Sequence, residues 1–190
     1  MKVTAFNGSP RKDGNTAYLL KLVLSDLEKE GIETEFVQVG GEPVSGCRAC
    51  GSCRQNKDKK CVIRSDKMND WIEKMYGSDG ILIGSPTYMA GLTPETKALI
   101  DRCGYVSRSN GNFLKRKVGA AVAAARRAGA VCVFDSINHF FTICEMVVPG
   151  ASYWNLSIGL HPGDSEKDAE GNATMHNLAE NFAWVLKKLK

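Results

Sequence analysis

Short apolar runs alternate along this chain with longer stretches of helical periodicity. KVTAFN (2–7) has the pattern of a short buried strand, ended by Gly8. From Asn15 or Thr16 onward, Leu19, Leu20, Val23 and Leu27 share one helical face, and Gly31 closes the pattern. TEFVQV (34–39) is a second strand. Met68, Trp71, Ile72 and Met75 stand at i, i+3, i+4, i+7 and predict an amphipathic helix ended by Gly77. GILIG (80–84) is apolar on both faces, as a central parallel strand is. Thr93-Pro94 opens a helix expected to run to about Cys103, with threonine as N-cap and proline at the first helical position. A polar loop (104–115) then leads to the strand KVGAAVAA (117–124), a largely apolar helix over about 130–147, and a fifth strand at SYWNL (152–156). A solvated connection (163–172) precedes a last helix at about 173–189. That helix carries Met175, Leu178, Phe182, Val185, Leu186 and Leu189 on one stripe and ends in KKLK, which suits the helix dipole.

Five strands alternating with five helices predict an α/β fold: a doubly wound five-stranded parallel sheet with helices on both faces. One domain is expected over 1–190, interrupted by a cysteine-rich insertion at 40–64. Such sheets bind ligands at the carboxyl ends of their strands, at the switch point in strand order. The loops at 8–16, 85–93 and 125–129 are therefore expected to lie together, with the cysteine loop emerging on the same side.

Composition narrows the classes. At 43% hydrophobic and 24% charged residues the chain is an ordinary globular one. The net charge of +4 is spread without a basic run or interleaved aromatics, which argues against nucleic acid as a partner. No apolar run reaches the length of a membrane span. MKVTAFNGSP enters a strand pattern at once, without the pattern of a signal peptide, and the expectation is a cytoplasmic protein. In a reducing compartment its seven cysteines are not expected to form a disulfide framework.

NGSPRKDGNT (7–16) joins a strand to a helix N-terminus, where free N–H groups and the dipole favour an anion. Ser9, Asn15 and Thr16 offer neutral donors, Arg11 a charged fork, and Gly8 and Gly14 close approach of the backbone. No lysine follows Gly14, so this is no Walker loop, and the G-x-G-x-x-G pattern is absent too. The anion it suits is a terminal phosphate monoester; a capped helix with a flexible loop is the plainer alternative. A second Gly-Ser-Pro at 84–86 continues as TYMAGLTPETKALIDR. There Thr87, Tyr88, Met89 and Ala90 either flank a flat heteroaromatic ring or simply pack.

Together the two Gly-Ser-Pro loops resemble the flavodoxin-like family of NADPH-dependent FMN reductases, over about residues 1–160. With GCRACGSC…C between them, the chain resembles that family's iron–sulfur flavoprotein branch. The resemblance implies a flavodoxin-like fold and FMN, with its phosphate at Ser9, Arg11, Gly14, Asn15 and Thr16. It places the ring against Pro86, Thr87, Tyr88, Met89, Ala90 and Gly91. The third family loop falls on AARRAG (124–129), including Ala125, Arg126 and Arg127, where relatives carry more glycine. It further implies electrons from NAD(P)H or a ferredoxin-like donor, passed to a small-molecule acceptor or a quinone, in a homodimer or homotetramer.

Cys47, Cys50, Cys53 and Cys61 are spaced C-x2-C-x2-C-x7-C. Structural zinc sites pair cysteines as two C-x2-4-C knuckles across a longer gap. Three cysteines at x2-x2 pitch instead wrap one corner of an iron–sulfur cubane, with a remote fourth ligand. The spacing favours a [4Fe–4S] cluster; zinc and free redox-active thiols stay open. Arg48, Arg54, Lys57, Lys59, Lys60 and Arg64 surround these cysteines and offset thiolate charge, or simply form a solvated basic loop. Cys103, Cys132 and Cys144 are expected to be small core residues. His139, His161 and His176 have no ligand spacing. The apolar helix at about 130–147, with Phe134, Phe140 and Phe141, predicts an oligomer interface or a deeply buried helix.

Overall fold

The computed structural model describes residues 1–189; the last lysine of KKLK lies outside them. In chain order the elements are β1 (Lys2–Asn7), α1 (Asn15–Lys29), β2 (Glu33–Gln38), α2 (Ser52–Asn56), α3 (Met68–Gly77), β3 (Gly80–Pro86), α4 (Pro94–Ser109), β4 (Val118–Ala125), α5 (Ala130–Ile143), β5 (Leu156–Ile158), a 3₁₀ turn (Asp164–Lys167) and α6 (Ala169–Lys188).

The strands form one parallel sheet in the order β2-β1-β3-β4-β5. β3 and β4 are buried almost throughout, which is why they read as unbroken apolar runs rather than alternating ones. Side chains of α3, α4 and α5 fill one face of the sheet, including Trp71, Ile72, Leu99, Val106, Ile137 and Phe141. Those of α1 and α6 fill the other, including Leu20, Val23, Leu27, Leu178 and Phe182. Asn7 is paired with Gln38 and Gly84, and Pro86 with Ala124, so these strands end at one edge of the sheet. The chain leaves β1 toward β2 on one side and reaches β3 on the other. The switch point therefore lies between the ends of β1 and β3. No helix among the described residues is long and apolar enough to cross a membrane.

Several expected boundaries move, each for a packing reason. The segment 104–109 continues α4 instead of starting a loop, because Val106 and Ser107 are buried on the helix's inner face. Gly104, the first residue of the expected loop, lies where α4 meets α5; a side chain there would stand 3.5 Å from the Phe140 ring. The fifth strand is Leu156–Ile158, not 152–156: Tyr153 and Trp154 face solvent as a tilted ring pair with centroids 5.0 Å apart. α5 stops at Ile143, and Val147 instead bridges the start of β4 at Val118. α6 begins at Ala169, where the Asp168 carboxylate accepts the Gly171 N–H at 3.0 Å. The surplus apolar surface of α5 goes largely into the sheet, with Phe140 and Phe141 buried and Phe134 partly so. Cys103 and Cys144 are buried as expected, but Cys132 is exposed, because it falls on the outer face of α5.

Candidate functional site

Three strand ends build the first site. After β1 the chain is held from both sides. Asn7 Oδ1 accepts the Ser9 N–H at 3.1 Å, and Gln38 Nε2 donates to Ser9 O at 2.7 Å. Ser9 Oγ accepts the Arg11 N–H at 3.2 Å and keeps its own hydrogen to donate. Gly8 donates to Gly84 O at 2.7 Å, and its carbonyl accepts from Thr93 Oγ1 at 2.8 Å. The loop after β1 is thus tied to the loop after β3. Only glycine fits there, because a Cβ on Gly8 would lie 1.9 Å from Thr96 Oγ1.

At the mouth of that loop α1 begins with Gly14 as an extended N-cap. No side chain caps the helix, and no acidic residue sits in its first turn. Its leading amides therefore face the loop without a side-chain cap to neutralise their partial positive charge. Thr16 is buried and Arg11 is exposed, with its Nη1 3.5 Å from Leu160 O. Asn15 also ties α1 to the segment after β5: its Oδ1 accepts the Ser165 N–H at 3.3 Å, a contact that uses the acceptor and not the Nδ2 donor.

After β3, Tyr88 and Gly91 exchange two backbone hydrogen bonds of 2.9 Å across a tight turn. Met89 and Ala90 at its tip have φ of 49° and 59°. Two non-glycine residues in the left-handed region are unusual and store strain, a feature that concentrates at functional sites. Met89 is fully exposed and Tyr88 half exposed, so neither is a packing residue. The Thr87 N–H donates to Ala124 O at 2.8 Å, while Thr87 Oγ1 is buried with no hydrogen-bond partner. The third loop closes against this turn through Gly129. Its φ is 87°, and a Cβ there would lie 3.1 Å from both Ala90 Cα and Thr87 Cγ2. Ala125 is buried; Arg126 and Arg127 are exposed and make no ion pair among the described residues.

The four clustered cysteines line one small cavity of about 30 Å³, together with Arg102 and Val106. All four are free thiols. The loop curls through left-handed residues, Ala49 at φ 52° and Gly51 at φ 76°, and the Ala49 N–H donates to Cys47 Sγ at 3.4 Å. Hydrogen bonds from Ser52 hold the Cys50 thiol below its usual value, toward the thiolate that binds metal. The Asn110 amide donates to Cys53 O at 3.3 Å, and Asn69 Oδ1 accepts the Cys61 N–H at 2.8 Å. As the side chains stand, no three ligand-type residues among those described are grouped to hold a metal ion. Several of the surrounding cations are already engaged. Lys57 donates to Ser109 O at 2.7 Å, Lys59 lies 3.8 Å above the Tyr76 ring, and Arg64 pairs with Asp58. Burial pushes the Cys144 thiol up to about 11 and the Cys103 thiol higher still, which leaves both inert.

Residues 1–161 match the family described as NADPH-dependent FMN reductase. The chain belongs to that family. It stands in the iron–sulfur flavoprotein branch: it is 37% identical to an iron-sulfur flavoprotein of Methanocaldococcus jannaschii, over 100% of both chains. It is 34% identical to an iron-sulfur flavoprotein of Methanosarcina thermophila, over 100% of this chain and 97% of the relative. Among solved structures, RosB with bound 8-demethyl-8-formylriboflavin-5'-phosphate matches with a TM-score of 0.81 at 21% identity, over 100% of this chain and 80% of that one. A WrbA-like flavodoxin from Agrobacterium tumefaciens matches with a TM-score of 0.68 at 12% identity, over 100% of this chain and 98% of that one. The fold of this flavoprotein is thus flavodoxin-like, its cofactor is FMN, and it is a flavin-dependent oxidoreductase.

The residues fit that cofactor. An uncapped helix start with no acidic residue in its first turn, and with the preceding Asp13 paired to Lys21, suits a phosphate dianion. A buried, unpartnered threonine hydroxyl suits the polar edge of a ring. The cysteine cavity fits an iron–sulfur cluster by its donor set, four thiols and a buried cation. Three parts of the flavoprotein's site escaped sequence reasoning: Gln38, the Thr93–Thr96 brace and Arg102. Thr93 was visible only as a helix cap, and Arg102 only as one more residue of a helix.

Proposed function

We propose that this flavoprotein is an electron-transferring oxidoreductase in which FMN lies across the ends of β1, β3 and β4. In this reading the Ser9 hydroxyl, the Arg11 guanidinium, Asn15 Nδ2, Thr16 and the amides from Gly14 to Thr16 hold the phosphate. Thr87 Oγ1 and the turn amides of Tyr88 to Gly91 orient the ring from Pro86 onward, while Tyr88 and Met89 cover it and limit water. Ala125 forms the floor of the third loop. Arg126 and Arg127, exposed beside the mouth, attract an anionic donor such as NAD(P)H. When bound, FMN supplies the transfer of electrons between a donor and an acceptor that differ in electron number. The observation that carries this reading is the open α1 start at the same sheet edge as the unpartnered Thr87 hydroxyl.

Cys47, Cys50, Cys53 and Cys61 lining one cavity favour a second, compatible reading. The four thiolates hold a [4Fe–4S] cluster, and the protein carries electrons from a ferredoxin-like donor. The exposed basic loop would then speed encounter with an acidic partner. Assembly into a dimer or tetramer would use the groove of about 840 Å³ between α4 and α5, where Tyr105 is 53% and Ile143 56% exposed. Anaerobic purification with flavin, iron and acid-labile sulfide analysis tests the cofactors. Anaerobic assays then separate the donors. Flavin reduction by NADPH or NADH supports the reductase, reduction only by reduced ferredoxin supports the carrier, and a colourless protein that takes up no FMN overturns both.

A further inference from the structure

Arg102, on α4, is 1% exposed and among the largest fully buried side chains of the protein. A buried guanidinium is costly unless its hydrogen bonds are met. Its terminal nitrogens are met by the two flanks of the cysteine loop. Nη1 donates to Ser45 O at 3.1 Å and to Asp66 Oδ2 at 2.5 Å, and Nη2 donates to Ile63 O at 3.2 Å. Ser45 precedes Cys47 by two residues, and Ile63 follows Cys61 by two. One side chain therefore fastens both ends of the segment that carries all four thiols. The third nitrogen, Nε, is buried and has no hydrogen-bond partner. Arg102 also lines the same cavity as the four cysteines, and the Cys61 thiol lies close enough to act on its charge. A buried donor left without an acceptor in a cavity walled by sulfur ligands is an anomaly in the bare protein. It is accounted for if the acceptor arrives with the cluster.

We propose that Arg102 is the positioning residue of the cluster: its fork closes the cysteine loop, and its Nε–H donates to a sulfur of the bound cluster and raises the reduction potential. The proposal rests on the [4Fe–4S] reading of the four cysteines. Hydrogen bonds to cluster sulfurs favour the reduced, more negative state. Asp66 cancels much of the guanidinium's net charge from the far side, so the hydrogen bond rather than the bare charge is the lever.

The test is a redox titration, followed by EPR, of the anaerobically reconstituted holoprotein and its Arg102→Lys variant. Lysine keeps the cation and can reach Asp66 but has no Nε–H. The variant is expected to match the wild type in iron, sulfide and flavin content. Its ratio of reduced to oxidised cluster at a fixed potential should fall about tenfold, which for a one-electron couple is about 59 mV. A loaded variant with unchanged potential overturns the proposal and leaves Arg102 a clamp alone. Wild-type protein that takes up no iron and sulfide overturns the cluster reading and this inference with it. If Arg102→Lys does not load, the decision passes to protein labelled with guanidino-¹⁵N arginine and carrying Arg48→Lys, Arg54→Lys and Arg64→Lys. A nitrogen coupling in the pulsed EPR of its reduced cluster supports the contact, and its absence rejects it.

Discussion

Gly8→Ala attacks the flavin site at its most crowded point. The new methyl would stand 1.9 Å from Thr96 Oγ1 and 2.8 Å from Gly84 O. Neither neighbour can yield easily. Thr96 Oγ1 is held by Thr93 Oγ1 at 2.8 Å, and Gly84 O belongs to the backbone of β3. Overpacking of this kind costs about 1–3 kcal/mol. Displacing Gly8 also strains its two hydrogen bonds, to Gly84 O and from Thr93 Oγ1, each worth about 1 kcal/mol. With each bond weakened by about half, the sum is about 2–4 kcal/mol. For a chain of this length that lowers the melting temperature by roughly 5–15 °C. The same displacement loosens the loop proposed to grip the phosphate, and FMN affinity should fall at least about tenfold, or ~1.4 kcal/mol. Flavin-fluorescence titration, run well below the lowered melting temperature, measures the affinity; a thermal scan of the apoprotein measures the stability. Gly77→Ala is the control: a Cβ there meets nothing within 4 Å, so FMN affinity should stay unchanged and stability should rise, if it moves at all, by up to about 1 kcal/mol for a glycine replaced in a helix. A Gly8→Ala protein that melts early but binds FMN like the wild type would refute the placement of the phosphate on this loop.

Three further outcomes follow from the same contacts. Thr87→Val removes a buried, unpartnered hydroxyl, so the apoprotein should gain about 1–2 kcal/mol while FMN binding weakens; a calorimetric titration showing no loss of affinity counts against the ring contact. Cys53→Ala should empty the cluster, with iron and sulfide falling together while flavin stays bound; full iron content in the variant would contradict the ligand assignment. Asp168→Ala, which uncaps α6, should cost about 1 kcal/mol at neutral pH. Burial opposes ionisation of Asp168, but the Gly171 and Ile158 amides hold its carboxyl below the ordinary value of 3.8. Its stabilisation is therefore complete above that value and disappears as pH falls through the depressed one. Denaturant titrations from neutral to strongly acidic pH should show the two proteins converging only in acid.

The elements that sequence located best are those whose burial is uniform. β3 and β4 are enclosed by helices on both sides, so their apolar runs admit one reading. β5 is short, lies at the sheet edge and has only three residues, while its two exposed aromatic neighbours imitate a strand. The end of α4 was missed because Ser107 and Ser109, in its last turn, are polar yet buried. Ser107 Oγ earns its place by accepting the Leu114 N–H, seven residues on. The site divides in the same way. Ser9, Gly14 and the turn at 88–91 are parts of contiguous loops, and their donors are written in consecutive letters. Asn15, Thr87 and Arg102 take their meaning from groups far along the chain: Ser165, Ala124 and the flanks of the cysteine loop. A residue's type shows what it can donate, but a distant partner decides whether it is free to do so.

That division bears on how the flavin loops and the cysteine loop depend on each other. Gly8, Ser9 and Thr93 are braced by Asn7, Gln38, Gly84, Ser85 and Thr96. None of these partners comes from residues 46–61. The cysteine loop leans instead on α4, through Arg102, Ser109 and Asn110. α4 is the shared element, anchored at its N-terminus by Thr93 beside the flavin loops and meeting the cysteine segment from Arg102, at its middle, to Asn110 at its end. Disturbance of the cysteines should therefore enter a packed helix about 12 Å or more from its start, at ~1.5 Å per residue from Pro94 to Arg102. Disturbance at Thr93 moves the near end, where α4 begins. If the flavin and cluster sites are as proposed, the flavin site should stand without the cluster, and this asymmetry is what makes retained flavin in a Cys53→Ala protein a meaningful observation.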